Sequence, residues 1–124
     1  MSQGKAHVVC SVQELPPGSR RISPLGQFGI GLFNVGGRYY ALANYCPHRG
    51  GPLCRGVVTG TTEVDDADQV RWVQDGEVIR CPWHGWEFSI PSGLSLTKPV
   101  KRVHTYPVRV EDDNLVIFLD KVLR

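Results

Sequence analysis

The chain has 124 residues, 41% of them hydrophobic, which suits one modest core rather than several. Fourteen basic and twelve acidic residues leave a net charge of +2 without a long single-sign run, so neither a nucleic-acid patch nor a membrane-binding segment stands out. No stretch approaches the roughly 18 apolar residues of a membrane span, and the first thirteen residues lack the charged-then-apolar order of a secretion signal, so a single cytoplasmic domain over residues 1–124, favoured as a monomer, is expected.

Residues 6–12 (Ala-His-Val-Val-Cys-Ser-Val) read as a first strand, which Pro16-Pro17-Gly18 breaks. From Phe28 an alternation sets in, with Phe28, Ile30 and Leu32 on one side and Gly29, Gly31 and Phe33 on the other. It predicts a strand that turns at Gly36-Gly37 and returns over Tyr39 to Ala43. The chain then leaves the sheet into Cys46-Pro47-His48-Arg49-Gly50-Gly51.

Val57 to Thr61 reads as another strand. Asp75-Gly76, flanked by Arg71 to Gln74 and by Val78 to Arg80, predicts the turn of a hairpin spanning about 57–80. Six of the twelve acids (Glu63, Asp65, Asp66, Asp68, Asp75 and Glu77) fall on it, as a solvated tip or as a docking surface for a redox partner. A second short motif follows, Cys81-Pro82-Trp83-His84-Gly85-Trp86. Glu87 to Ile90 is a short strand closed by Pro91-Ser92-Gly93. Pro99 and Pro107 mark edges or loops, Val108 and Val110 alternate with charged neighbours, and Asp112-Asp113-Asn114 turns the chain into Leu115 to Leu119. No segment carries a helical period, which points to an all-β fold. His7 and His104 fall on predicted strands as ordinary residues.

The two short motifs carry the chemistry. Each holds one thiol and one imidazole, as C-x-H and then C-x-x-H, so that Cys46, His48, Cys81 and His84 make four soft or borderline ligands. Four such groups suit either tetrahedral zinc or a [2Fe–2S] cluster in which two imidazoles replace two thiolates on one iron. Zinc sites usually pair Cys with Cys and His with His, whereas mixed halves suit two loops that each send a thiolate to a buried iron and an imidazole to an outer one. Cys10 and Cys54 remain as reduced thiols, Cys54 packed or partly exposed beside the site.

The boxes C-x-H-x-G and C-P-x-H-G, complete here, resemble those of the Rieske family. The resemblance implies an antiparallel β-sandwich with a protruding two-loop cluster-binding subdomain (loops at about 45–55 and 80–90) and one Rieske-type [2Fe–2S] cluster. Cys46 and Cys81 would hold its inner iron, His48 and His84 its outer, solvent-facing iron. The 32 residues between His48 and Cys81 are about twice the family's usual separation, which the lengthened hairpin accounts for. In the respiratory branch a disulfide joins the two loops, at positions that are Gly51 and Trp83 here. A hydroxyl-bearing Ser and Tyr of that branch correspond to Trp86 and Phe88, which implies a low reduction potential.

With all four ligand positions filled by protein, such a cluster transfers electrons without turning over a substrate. The resemblance implies a soluble ferredoxin carrying electrons from a flavin-dependent reductase to a non-haem iron oxygenase. A small Rieske subunit of a larger reductase, such as nitrite reductase, or an independent domain with a sensing or assembly role, is the alternative. The chain is too short for the additional catalytic domain of a self-sufficient oxygenase, and only His7 and His104 remain to ligate a second iron.

Overall fold

The computed structural model describes residues 5–96 and 100–119, and Pro99 lies outside them. Strands β1 (Lys5–Ser11), β9 (Val108–Glu111) and β10 (Asn114–Leu119) form a three-stranded sheet in the order β1-β10-β9. Strands β2 (Arg20–Ser23), β3 (Ile30–Val35), β4 (Arg38–Ala43) and β8 (Thr105–Tyr106) form a four-stranded sheet in the order β2-β3-β4-β8. Strands β5 (Val57–Val64), β6 (Val70–Arg80) and β7 (Glu87–Ser89) form a third sheet in the order β5-β6-β7. Every pairing is antiparallel. Among the described residues the only helical pieces are single 3₁₀ turns at Val12–Glu14 and Leu53–Arg55, so the all-β expectation holds.

Local chemistry explains the turns that the sequence announces. Gly36 and Gly37 both take positive φ, at 59° and 94°, as a two-residue hairpin requires, and Asn34 Oδ1 accepts the Gly37 N–H. Asp112 and Asp113 take the same left-handed pair of conformations, at 52° and 64°, between β9 and β10. β3 is buried from Ile30 to Asn34, and its Ile30, Leu32 and Phe33 side chains join the core. Phe33, Leu42, Phe88, Ile79 and Ile117 belong to one continuous core, each worth about 1.5–3 kcal/mol of burial.

Three sequence expectations change. Phe28 lies before β3 in a turn, is exposed, and stacks on Tyr45 at 4.4 Å, because the ladder with β2 begins only at Ile30. His104 sits just before β8 rather than within a strand; its carbonyl accepts the Ala43 N–H, and its ring meets Tyr106 edge-on. Asp75-Gly76 is not the hairpin turn. The turn lies at Asp65 to Gln69, where Asp65 Oδ1 accepts the N–H groups of Ala67 and Gln69 and so supplies the local bonds that close it. Asp75-Gly76 instead forms a wide bulge inside β6. Thr59 pairs with Val78 and Thr61 with Val73, so two steps along β5 face five along β6, and positive φ at Gln74 and Gly76 absorbs the excess. Trp72 Nε1 donates to Asp75 Oδ1 at 2.9 Å across the bulge, and the indole covers Gly60, where a Cβ would come within 2.8 Å of it.

Candidate metal centre

Two loops leave the same end of the third sheet. The first, residues 44–56, runs from the end of β4 to the start of β5, and the second, residues 81–86, connects β6 to β7. Their roots are tied directly: Val57 pairs with Arg80, and Arg80 with Glu87, where the Arg80 guanidinium also donates to Glu87 Oε2 at 3.0 Å. Arg20 reaches over from β2 and donates to the carbonyls of Cys54 and Gly56. Asn44 Oδ1 accepts the Cys54 N–H, so the first loop is also fastened to the second sheet.

The two loops repeat one backbone pattern. In the first, the Gly50 N–H donates to the Cys46 carbonyl at 2.7 Å and the Cys46 N–H to the Gly51 carbonyl at 2.8 Å. In the second, the Gly85 N–H donates to the Cys81 carbonyl at 2.9 Å and the Cys81 N–H to the Trp86 carbonyl at 2.7 Å. In each case the residue four beyond the cysteine is a glycine with positive φ, 80° at Gly50 and 74° at Gly85. The shared cysteine-to-glycine spacing is therefore a conformational requirement, visible in the sequence once the turn is known.

This pattern pairs the predicted ligands, thiol with thiol and imidazole with imidazole. The Cys81 thiol lies close enough to Cys46 to raise that thiol's cost of ionising, and both residues are buried. The His48 and His84 rings lie edge to face with centroids 5.2 Å apart. A thiol pair and an imidazole pair suit two metal atoms, one held by sulfur and one by nitrogen. Burial pushes the Cys46 thiol above its ordinary range, while the backbone N–H groups of His48 and Arg49 donate to its sulfur and favour the thiolate. His48 is held below the usual imidazole value, first by desolvation and then by His84, Arg49 and Lys101, which leaves the ring neutral with a lone pair to offer. His48 Nδ1 is buried with no hydrogen-bond partner, an acceptor that a metal would satisfy. These residues fit a diiron cluster with mixed ligation.

Trp83 and Trp86 flank His84 in the sequence, where they are expected to shield the cluster. Trp86 stacks on the His48 ring at 4.3 Å and 19°, and Phe88 behind it is fully buried, so neither position brings a hydroxyl to the site. Gly51 and Trp83 are in direct contact across the two loops. Tyr45 backs the first loop, its ring 3.1 Å from where a Gly50 Cβ would be.

Cys10 is buried in β1, away from the loops. Cys54 is fully buried, in contact with Gly31 and directed at the Leu42 and Ala43 carbonyls at 3.5 and 3.6 Å. Burial pushes its thiol up to about 12 from 9.0. A folded-state value above the unfolded one stabilises the fold below pH 9, and that stabilisation is lost progressively as pH rises from 9 toward 12. Wild type should therefore lose melting temperature between pH 8.5 and about 10.5 more steeply than Cys54→Ala, as differential scanning fluorimetry would show. Parallel melting curves would mean that the thiol does not titrate against the fold.

The six hairpin acids lie along β5 and β6 and the turn between them, where Glu63 pairs with Arg71 at 3.9 Å. From Val57 at the root to Val64 near the turn, the strand spans about 23 Å, so the acidic tip stands well away from the imidazoles.

A family model described as the Rieske [2Fe-2S] domain matches residues 5–107. The 3-phenylpropionate/cinnamic acid dioxygenase ferredoxin subunit of Escherichia coli (strain K12) is 32% identical over 114 residues, covering 89% of this chain and 90% of its own. Apoptosis-inducing factor 3 of Mus musculus is 31% identical over 91% of this chain, which spans only 16% of that longer protein. Among solved structures, a complex of reduced oxygenase and oxidized ferredoxin in carbazole 1,9a-dioxygenase aligns with a TM-score of 0.72 at 24% identity, covering 96% of this chain and 97% of the matched one. Among the described residues no helix is long and apolar enough to cross a membrane.

Proposed function

The chain belongs to the Rieske [2Fe–2S] family, whose members bind one such cluster, and from that premise we propose that it is a one-electron carrier of the ferredoxin type, with Cys46 and Cys81 on the inner iron and His48 and His84 on the outer. The observation that carries the ligand assignment is the pairing itself: two buried thiols close together, and two imidazoles set edge to face. When bound, the cluster supplies a reversible one-electron couple. Cys46 and Cys81 anchor it in the buried part of the site. His84 is exposed and His48 half-buried, which leaves an imidazole edge open to a docked partner. Trp86 covers the other side of His48 and excludes water there.

The proposed partners are a terminal non-haem iron oxygenase, as in the carbazole dioxygenase complex, and a flavin-dependent reductase upstream, with the protein working in the cytoplasm. Trp86 and Phe88 provide no hydroxyl to bond cluster sulfur, so nothing at those positions stabilises the extra negative charge of the reduced state. The expected midpoint is on the order of −150 to 0 mV, suited to accepting an electron from a flavin.

The test begins with the purified protein. It should be brown, with two irons and two acid-labile sulfides per chain, and an EPR signal of low average g should appear on reduction. Stoichiometric zinc without iron would overturn the assignment. Protein-film voltammetry then separates the branches: a midpoint above about +150 mV would exclude the dioxygenase-ferredoxin role.

A further inference from the structure

Gly51 has an ordinary φ, so conformation alone does not demand a glycine there. Space does. A Cβ at Gly51 would lie 2.8 Å from both Cγ and Cδ2 of Trp83, and 3.2 Å from Cys81 Sγ. The five-membered ring of the indole therefore rests directly on the backbone of the first loop, although Trp83 belongs to the second and is 57% exposed overall. The backbone it rests on is the one that sets the first thiol, because the Gly51 carbonyl accepts the N–H groups of Cys46 at 2.8 Å and Leu53 at 2.9 Å. Among the described residues all four cysteines are free thiols, and no disulfide ties the loops together.

We propose that Trp83 is a positioning residue that clasps the first cluster loop from the second, its indole seated on Gly51 so that Cys46 and Cys81 keep the separation a shared iron needs. Each loop is also closed on itself by its own cysteine-to-glycine bonds, the roots are joined at Val57, Arg80 and Glu87, and Trp86 of the second loop stacks on His48 of the first. At the far end of the loops the Trp83–Gly51 contact provides a join that closes by packing. It requires a large flat side chain on one loop and none on the other. Opening the clasp would let the loops part and water and chelators enter, so the contact governs how long the cluster stays bound. This inference rests on the ligand assignment above, which the iron and sulfide content of the wild-type protein checks separately.

The experiment follows the decay of visible circular dichroism of the loaded protein in air with excess chelator, for wild type, Trp83→Ala, Trp83→Phe, Gly51→Ala and the double variant Gly51→Ala/Trp83→Ala. The half-life in Trp83→Ala should fall about tenfold, and Trp83→Phe, which keeps a flat ring, should recover most of it. Gly51→Ala should shorten the half-life in the wild-type background because its Cβ displaces the indole. In the Trp83→Ala background it should add little beyond the residual contact with Cys81 sulfur. Should Trp83→Ala purify without a cluster, Trp83→Phe against Gly51→Ala still reads the contact. A wild-type half-life in Trp83→Ala, or an equal effect of Gly51→Ala in both backgrounds, overturns the clasp.

Discussion

Replacing either Cys46 or Cys81 by Ser is expected to leave a colourless protein with less than about one-tenth of the wild-type iron, while far-UV circular dichroism keeps its β signature. The two thiols are buried and close together, and each is one of only two sulfur ligands proposed for the site. A serine hydroxyl does not ionise at neutral pH, so it would leave the proposed inner iron with a single protein anchor. Metal affinity at sites of this kind depends on deprotonated ligands being present together. Cys10→Ser and Cys54→Ser should hold the cluster, because the first lies in β1 and the second points at the Leu42 and Ala43 carbonyls. Iron and sulfide analysis alongside the visible spectrum decides the matter. A cluster retained in Cys46→Ser, or lost in Cys54→Ser, would show the ligand set to be wrong.

Gly56→Ala is expected to destabilise the fold by about 3 kcal/mol or more, enough to lower the melting temperature by more than about 10 °C. Gly56 has an ordinary extended conformation, with φ −75° and ψ 179°, so an alanine there is not strained by its dihedrals. Its Cβ would, however, lie 1.8 Å from the Arg80 carbonyl oxygen and 2.8 Å from the Arg80 carbonyl carbon, with the Leu53 carbonyl at 3.1 Å. All three are backbone atoms that no rotamer change can move. Gly56 is held in place by its N–H on Leu53 and by Arg20 on its carbonyl, while Arg80 is paired to Val57 and Glu87. Relief therefore requires the roots of both ligand loops to separate, and the cluster should be lost along with stability. Gly36→Ala is the contrasting case: its φ of 59° is strained for alanine, but nothing lies within 4 Å, so about 1 kcal/mol is expected. Thermal melts of the two variants side by side test the distinction. A Gly56→Ala melt within a few degrees of wild type would mean that the loop roots are not rigidly joined.

The family and its cluster were legible from the chain itself, because the two boxes with one Cys and one His each are complete in the sequence. Ligand type is a property of side chains, so Cys46, His48, Cys81 and His84 are the proposed ligands before any geometry is known. Most strands and the turns at Gly36-Gly37 and Asp112-Asp113 were legible too, because alternation and left-handed turn residues act over a few neighbours. Asp75-Gly76 misled for a related reason. The dipeptide does supply positive φ, but a bulge uses that conformation as readily as a hairpin turn, and only pairing with Thr59 and Thr61 distinguishes them.

What the tertiary structure alone decided is every contact between residues distant in sequence that have no chemical complementarity to announce them. Trp83 on Gly51, Trp86 on His48, Arg20 on the carbonyls of Cys54 and Gly56, and Gly56 against Arg80 each depend on how the sheets bring the two loops and the strands beside them together. A glycine required by φ is marked by its place in a turn, as Gly50 and Gly85 are by their common distance from a cysteine. A glycine required by space, such as Gly51 or Gly56, looks like any other until the neighbour that fills the space is placed beside it.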